Sequence, residues 1–191
     1  MALAERMGFK SRLGSGRLLL GRAIVASGEV EEGARLLHEG FALWSADGSQ
    51  TGITEFAAIA ADALLEAGRI AEAEPFVSAG EKALADIGEL FFGAELARLR
   101  ARLAQHAGDR AAAEAGLREA IAIADRQGAR LFALRAATDL AQLLHRHGRT
   151  NEGEAALRLA LEAMPEGLDQ RDALRAKLAL RAFASAGSAH P

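Results

Sequence analysis

The sequence predicts an all-α fold, a right-handed α-solenoid of about four helical hairpins plus a C-terminal capping helix. Three observations carry this expectation. Glycines recur about every twenty residues, at Gly8, Gly28, Gly48, Gly68, Gly88, Gly108, Gly128, Gly148 and, one residue early, Gly167. Each ends a helix-sized piece with the residue that best tolerates a left-handed helix stop. Small residues stand in register around every second glycine: Gly21, Ala61, Ala101 and Ala141 seven before it, Gly33, Ala73, Ala113 and Gly153 five after it, and Gly40, Gly80, Ala120 and Ala160 twelve after it. Small side chains there let paired helices approach closely. A bulky column, Leu37, Val77, Leu117 and Leu157, lies nine residues after the same glycines and fills the space between helices.

Taken in order, the pattern predicts helices near 10–27, 30–46, 51–67, 70–87, 91–107, 110–127, 130–147, 150–164 and 169–185. Gly28, Gly68, Gly108 and Gly148 are the tight turns inside hairpins; the other glycines close the outer helices. Pro75 lies about a turn inside its helix and predicts a kink or a late start. Ala4-Glu-Arg-Met-Gly8 matches Ala124-Asp-Arg-Gln-Gly128 in register. Residues 1–9 are therefore read as the end of a truncated upstream helix or a lead segment, 10–164 as four hairpins, 165–185 as a capping helix and 186–191 as a disordered tail. In the cap, Leu174, Leu178 and Phe183 are expected to pack, with Arg171, Arg175, Lys177 and Arg181 wet. The exposed first hairpin, through Leu13, Leu18 and Leu20, suggests a homodimer contact.

Composition excludes several classes. The chain of 191 residues is 50% hydrophobic and 26% charged, too apolar for disorder. A net charge of -3 disfavours nucleic acid as a partner, and no apolar run is long enough to predict a membrane span. The absence of cysteine excludes disulfides and thiolate metal sites and suits a cytoplasmic location. No cofactor is expected: Gly14-Ser15-Gly16-Arg17 lacks phosphate-loop spacing and reads as a weak spot in the first helix. The histidines His38, His106, His145, His147 and His190 show no ligand spacing, so no metal and no catalytic residue is assigned. Phe9, Phe91, Phe92 and Phe132 follow interhelix glycines and are expected to staple helix starts; Trp44 is expected at the core edge.

The register columns resemble tetratricopeptide repeats over residues 10–164, although the consensus Trp and Tyr of that family are missing. The strings Gly40-Phe-Ala-Leu-Trp44-Ser-Ala-Asp-Gly48, Ala94-Glu-Leu-Ala-Arg-Leu-Arg100, Arg126-Gln-Gly-Ala-Arg130, Leu134-Arg-Ala-Ala-Thr-Asp-Leu140 and Pro165-Glu-Gly-Leu-Asp169 resemble more closely the C-terminal helical region of bacterial proteins. In those proteins a class III adenylate/guanylate cyclase, or a transcription-activator domain, is fused to an ATPase and then to such repeats. The resemblance implies a non-catalytic protein- or peptide-binding module of bacterial signalling, regulatory to upstream cyclase or ATPase domains.

The first helix of each hairpin is expected to line a concave groove. Counting thirteen, ten, six and three back from each hairpin glycine gives Ser15, Leu18, Arg22 and Val25, then Glu55, Ala58, Asp62 and Leu65. The third and fourth hairpins give Glu95, Arg98, Arg102 and Gln105, then Arg135, Thr138, Gln142 and His145. Arginine forks at 98, 102 and 135 suit an acidic peptide or phosphorylated group. The competing expectation is that Glu95, Arg98 and Arg135 pair with one another and only hold the stack. Two alternative functions remain: a small-ligand sensor with a closed apolar pocket at Leu18, Val25, Ala58 and Leu65, and a self-association element.

Overall fold

The computed structural model describes residues 8–46 and 51–187. Among them are nine α-helices and no strand. They are α1 (Lys10–Ala26), α2 (Val30–Ala46), α3 (Ile53–Glu66), α4 (Ile70–Ile87), α5 (Gly93–His106), α6 (Arg110–Gln127), α7 (Arg130–Arg146), α8 (Thr150–Glu162) and α9 (Arg171–Gly187). A 3-10 turn, Leu90–Phe92, precedes α5, so the fifth helix begins later than the sequence predicts. The last helix starts two residues late and runs to Gly187, into the segment expected to be a tail. Gly48, residues 1–7 and residues 188–191 lie outside the described residues. The expectations of an upstream helix end and of a disordered tail fall largely on them.

The glycine register works through backbone geometry. At Gly108, φ is +83°. Its N–H donates to Gln105 O at 3.1 Å and the Asp109 N–H donates to Ala104 O at 2.9 Å, the two bonds of a Schellman stop. The Asp109 side chain then accepts from Ala112 N and starts α6. Gly68 and Gly148 repeat the pair of bonds. Pro75 causes no late start, because α4 begins at Ile70 and continues through it. The start of α3 is capped from a distance: the Glu89 carboxylate accepts from the N–H groups of Gly52 and, at 3.0 Å, of Thr54.

The helices gather into two compact units, residues 1–99 and 100–191. In the first unit the α1–α2 hairpin is held by four buried glycines. A Cβ on Gly14 would lie 2.8 Å from Gly40 O, and one on Gly21 would lie 2.8 Å from Gly33 O. Gly14 is thus a close-approach position, not the weak spot expected, because its missing side chain is what admits the α2 backbone. Leu18 and Leu37 are fully buried at this crossing. Trp44 is half-buried, with its ring 4.5 Å from that of Phe56.

In the second unit Ala113, Leu117, Leu140, Leu143 and Leu144 form one apolar cluster. A second cluster joins Leu134, Ala137, Ala141 and Leu157 to Ala173, Ala176, Ala179 and Phe183 of α9. This corrects the expected cap face. Leu174 and Leu178 are exposed and the alanines pack in their place, while Phe183 is buried as expected. The small alanine side chains let α9 sit close to α7, which larger leucines would prevent. Replacing Ala113 with Leu should overpack the α5–α6 crossing and cost about 1–3 kcal/mol, read as a lower denaturant midpoint.

The phenylalanine staples fare unevenly. Phe91 is 75% exposed and touches Phe92, with ring centroids 5.3 Å apart. Phe9 is also exposed, so neither staples a helix start. Phe132 is half-buried beneath the Arg135 guanidinium, 6.0 Å from its ring centroid.

Candidate binding face

Three charged inner-helix residues of the first unit, Asp62, Glu95 and Arg98, do not line an open face. Arg98 on α5 is 1% exposed. It donates to Glu95 from Nε at 3.0 Å and from Nη2 at 2.8 Å, and to Asp62 on α3 at 2.6 Å. Asp62 and Glu95 are themselves buried. Three of the sixteen residues expected to line the groove therefore form one enclosed ion cluster between α3 and α5. Burial explains the arrangement: a lone charge in this interior would be far too costly, and an arginine fork between two carboxylates satisfies all three groups. The expectation that Arg98 faces an anionic ligand is corrected accordingly. Arg22 and Glu55 are half-buried and keep contact with solvent.

In the second unit Arg135 on α7 donates to Asp172 on α9 at 3.0 and 2.9 Å. One turn further along, Arg175 of α9 returns the bond to Asp139 of α7 at 3.0 Å. The reciprocal pairs set α7 and α9 side by side in parallel register. Asp139, Asp172 and Arg175 were not nominated from the sequence. The signal was present as two charge pairs with separations of 37 and 36 residues, close to the forty-residue repeat. His145 Nδ1 lies 3.0 Å from Thr150 Oγ1, and the ring packs on Phe183 at 4.5 Å. Arg102, Gln105 and Gln142 are half-buried. Thr138 is buried and donates to Leu134 O at 2.7 Å.

The outer helices carry an ion-pair ladder that the sequence reading missed. Arg69 bonds to Glu72 and, at 2.5 Å, to Glu31, while His38 lies 3.2 Å from Glu72. His38 thus meets a carboxylate 34 residues away in the sequence. In the second unit Arg149 bonds to Glu114 at 2.7 Å and Glu152 at 2.6 Å, and Arg118 reaches both glutamates at 2.5 and 2.6 Å. Arg149, Glu152 and Arg118 stand at the repeat positions of Arg69, Glu72 and His38. The readable signal was an Arg directly after the hairpin glycine with Glu three residues on.

Hydrogen bonds from Arg118 first, and then Arg149, hold Glu114 below the ordinary glutamate pKa of 4.5. Arg149, and then Arg118, lowers Glu152. Because folding depresses these values, the ladder's contribution is complete above the unfolded pKa. It is lost as pH falls through the folded one. Glu114→Gln should therefore unfold at lower urea than the parent at neutral pH, and the difference should vanish in acid below the usual carboxylate range. A difference that persists there would assign the loss to packing.

The small-ligand alternative required a pocket at Leu18, Val25, Ala58 and Leu65; all four are buried in the core of the first unit. An open cleft of about 270 Å³ lies elsewhere, at Phe41, Ile53, Ala83 and Ile87. Among the described residues no His, Asp or Glu group could hold a metal ion, and no helix is long and apolar enough to cross a membrane.

Hairpins of this register define a tetratricopeptide-like helical repeat fold. The comparison with solved structures agrees. Eight solved chains match. One is the crystal structure of a Podosopora anserina putative kinesin light chain with nearly identical TPR-like repeats, similar at a TM-score of 0.63 and 19% identity over 94% of this chain and 89% of that one. At that identity the likeness speaks for the fold alone. No protein-family profile and no curated protein matches the chain.

Proposed function

We propose that this chain is a non-catalytic module that binds a protein or peptide on its inner helices. The observation that carries the reading is the division of labour among polar inner-helix residues. Arg98, Asp62 and Glu95 are enclosed in one ion cluster. Arg102, Gln105 and Gln142 of the second unit stay half-buried and retain contact with solvent. A long and two shorter polar side chains on adjacent inner helices can read the backbone and acidic groups of a peptide.

The finer reading is a regulatory region of a bacterial cyclase- or ATPase-linked signalling protein. The resembling strings, from Gly40 through Asp169, support it. The test is a binding titration against purified cyclase and ATPase domains of a fusion protein whose C-terminal region carries those strings. Binding that weakens in Arg102→Ala and Gln142→Ala, and more so in high salt for the arginine, is the expected result. Equal affinity for the parent and both variants would remove the inner-helix reading while leaving the fold intact.

A further inference from the structure

We infer that the exposed face of α1 is a docking site for an acidic amphipathic helix of a partner protein. This goes beyond the inner-helix reading and uses a different surface. The argument starts from a comparison of the inner helices within the chain. In the later hairpins, residues twelve, or eight and five, before the hairpin glycine are seated on the preceding outer helix. Phe56 lies against Trp44 of α2, with ring centroids 4.5 Å apart. Leu96 lies over Gly80 of α4, so close that a Cβ there would meet it at 2.6 Å. Leu140 and Leu143 pack with Ala113 and Leu117 of α6.

On α1 the positions twelve, eight and five before Gly28 are Gly16, Leu20 and Ala23, and nothing in the described residues covers the last two. Leu20 is 38% exposed, its neighbour Leu19 54% and Phe9 53%. Leu13 is half-buried and Ala23 exposed on the same side. At helical spacing, Phe9, Leu13, Leu20 and Ala23 form one stripe opposite the buried Gly14, Leu18, Gly21 and Val25. Leu18, expected to be exposed here, is instead in the core. Gly8, which leads into α1, has φ +67°, matching +67° at Gly88 and +66° at Gly128, where outer helices hand over to inner ones. The stripe therefore has the shape that elsewhere in this chain receives a helix.

Charge selects the occupant. Beside the stripe stand the exposed Lys10 and Arg12, α1 has no carboxylate, and Arg17 donates to Glu39 of α2. A second copy offering its own α1 would bring like charges together. The exposed leucines of α9 come with Arg171, Arg175, Lys177 and Arg181 against Asp172 alone, so they would do the same. An acidic helix complements the site, and α2 is a template for one, with Glu31, Glu32 and Glu39 against Arg35.

The experiment titrates the full chain into a labelled synthetic peptide of sequence Val30–Ala46, read by fluorescence anisotropy. Binding is expected, weakened by high salt and reduced about tenfold or more by Leu20→Glu, whose exposed position leaves the fold intact by circular dichroism. Arg102→Ala should bind this peptide like the parent, which separates this site from the inner-helix face. Equal binding by the parent and Leu20→Glu would overturn the proposal. So would sedimentation showing self-association that Leu20→Glu abolishes, since the occupant would then be a second copy. Loss in Leu20→Glu of binding to phosphatidylserine vesicles, with no peptide binding by the parent, would assign the face to a membrane surface instead.

Discussion

Replacing Arg98 with methionine is expected to destabilise the protein by about 3–5 kcal/mol, the cost of breaking a buried ion pair from one side. Methionine keeps most of the unbranched stem, so little packing is lost and the deficit reports on charge. The two carboxylates it leaves, Asp62 and Glu95, are buried and lose the cation that bridges them. A surface pair would cost a tenth to a fifth of that, because water replaces the missing partner. Urea unfolding at neutral pH measures the difference. A companion variant in which Arg98→Met is combined with Asp62→Asn and Glu95→Gln should recover much of the loss, since no uncompensated charge then stays inside. A single-variant loss under about 1 kcal/mol would mean that water reaches the cluster.

This cluster also shows where sequence reading stopped. The period of about forty residues located nearly every helix, because a left-handed glycine stop is a local backbone property that the residue itself announces. The small and bulky columns were legible too: Ala73 and Ala113, and Val77 and Leu157, are buried where the register puts them. Rotation of a helix about its own axis was less legible. The sequence of α9 offers two packed sets, the expected Leu174, Leu178 and Phe183, and Ala173, Ala176 and Ala179 together with Phe183. Greater hydrophobicity favours the first, yet close helix approach selects the second. Ion-pair partners were the least legible, since an arginine reaches across a helix neighbour and its choice depends on side-chain geometry. Arg135 meets Asp172 on α9, not a residue of the predicted groove.

Gly21→Ala is expected to lower stability by about 1–3 kcal/mol, although helix propensity alone argues the other way by about 1 kcal/mol. The register makes the prediction sharp, because alanine stands at the same place in the other three hairpins, at Ala61, Ala101 and Ala141, and is buried in each. In the first hairpin both crossing positions are glycine. A Cβ on Gly21 would lie 2.8 Å from Gly33 O and 3.0 Å from Leu37 N. These are backbone atoms, which cannot rotate away as a side chain does. Relief would require α1 and α2 to separate, and separation would loosen Leu18 and Leu37, both fully buried at the crossing. Gly33→Ala meets the mirror-image obstacle, Gly21 O at 2.8 Å, and should cost a similar amount. The reverse substitution, Ala61→Gly, tests the opposing term: it should lose about 1 kcal/mol of propensity with no relief of crowding. Denaturant midpoints of the three variants decide between the two effects. A midpoint for Gly21→Ala above that of the parent would mean that helix propensity outweighs crowding and that the α1–α2 backbones are not in contact.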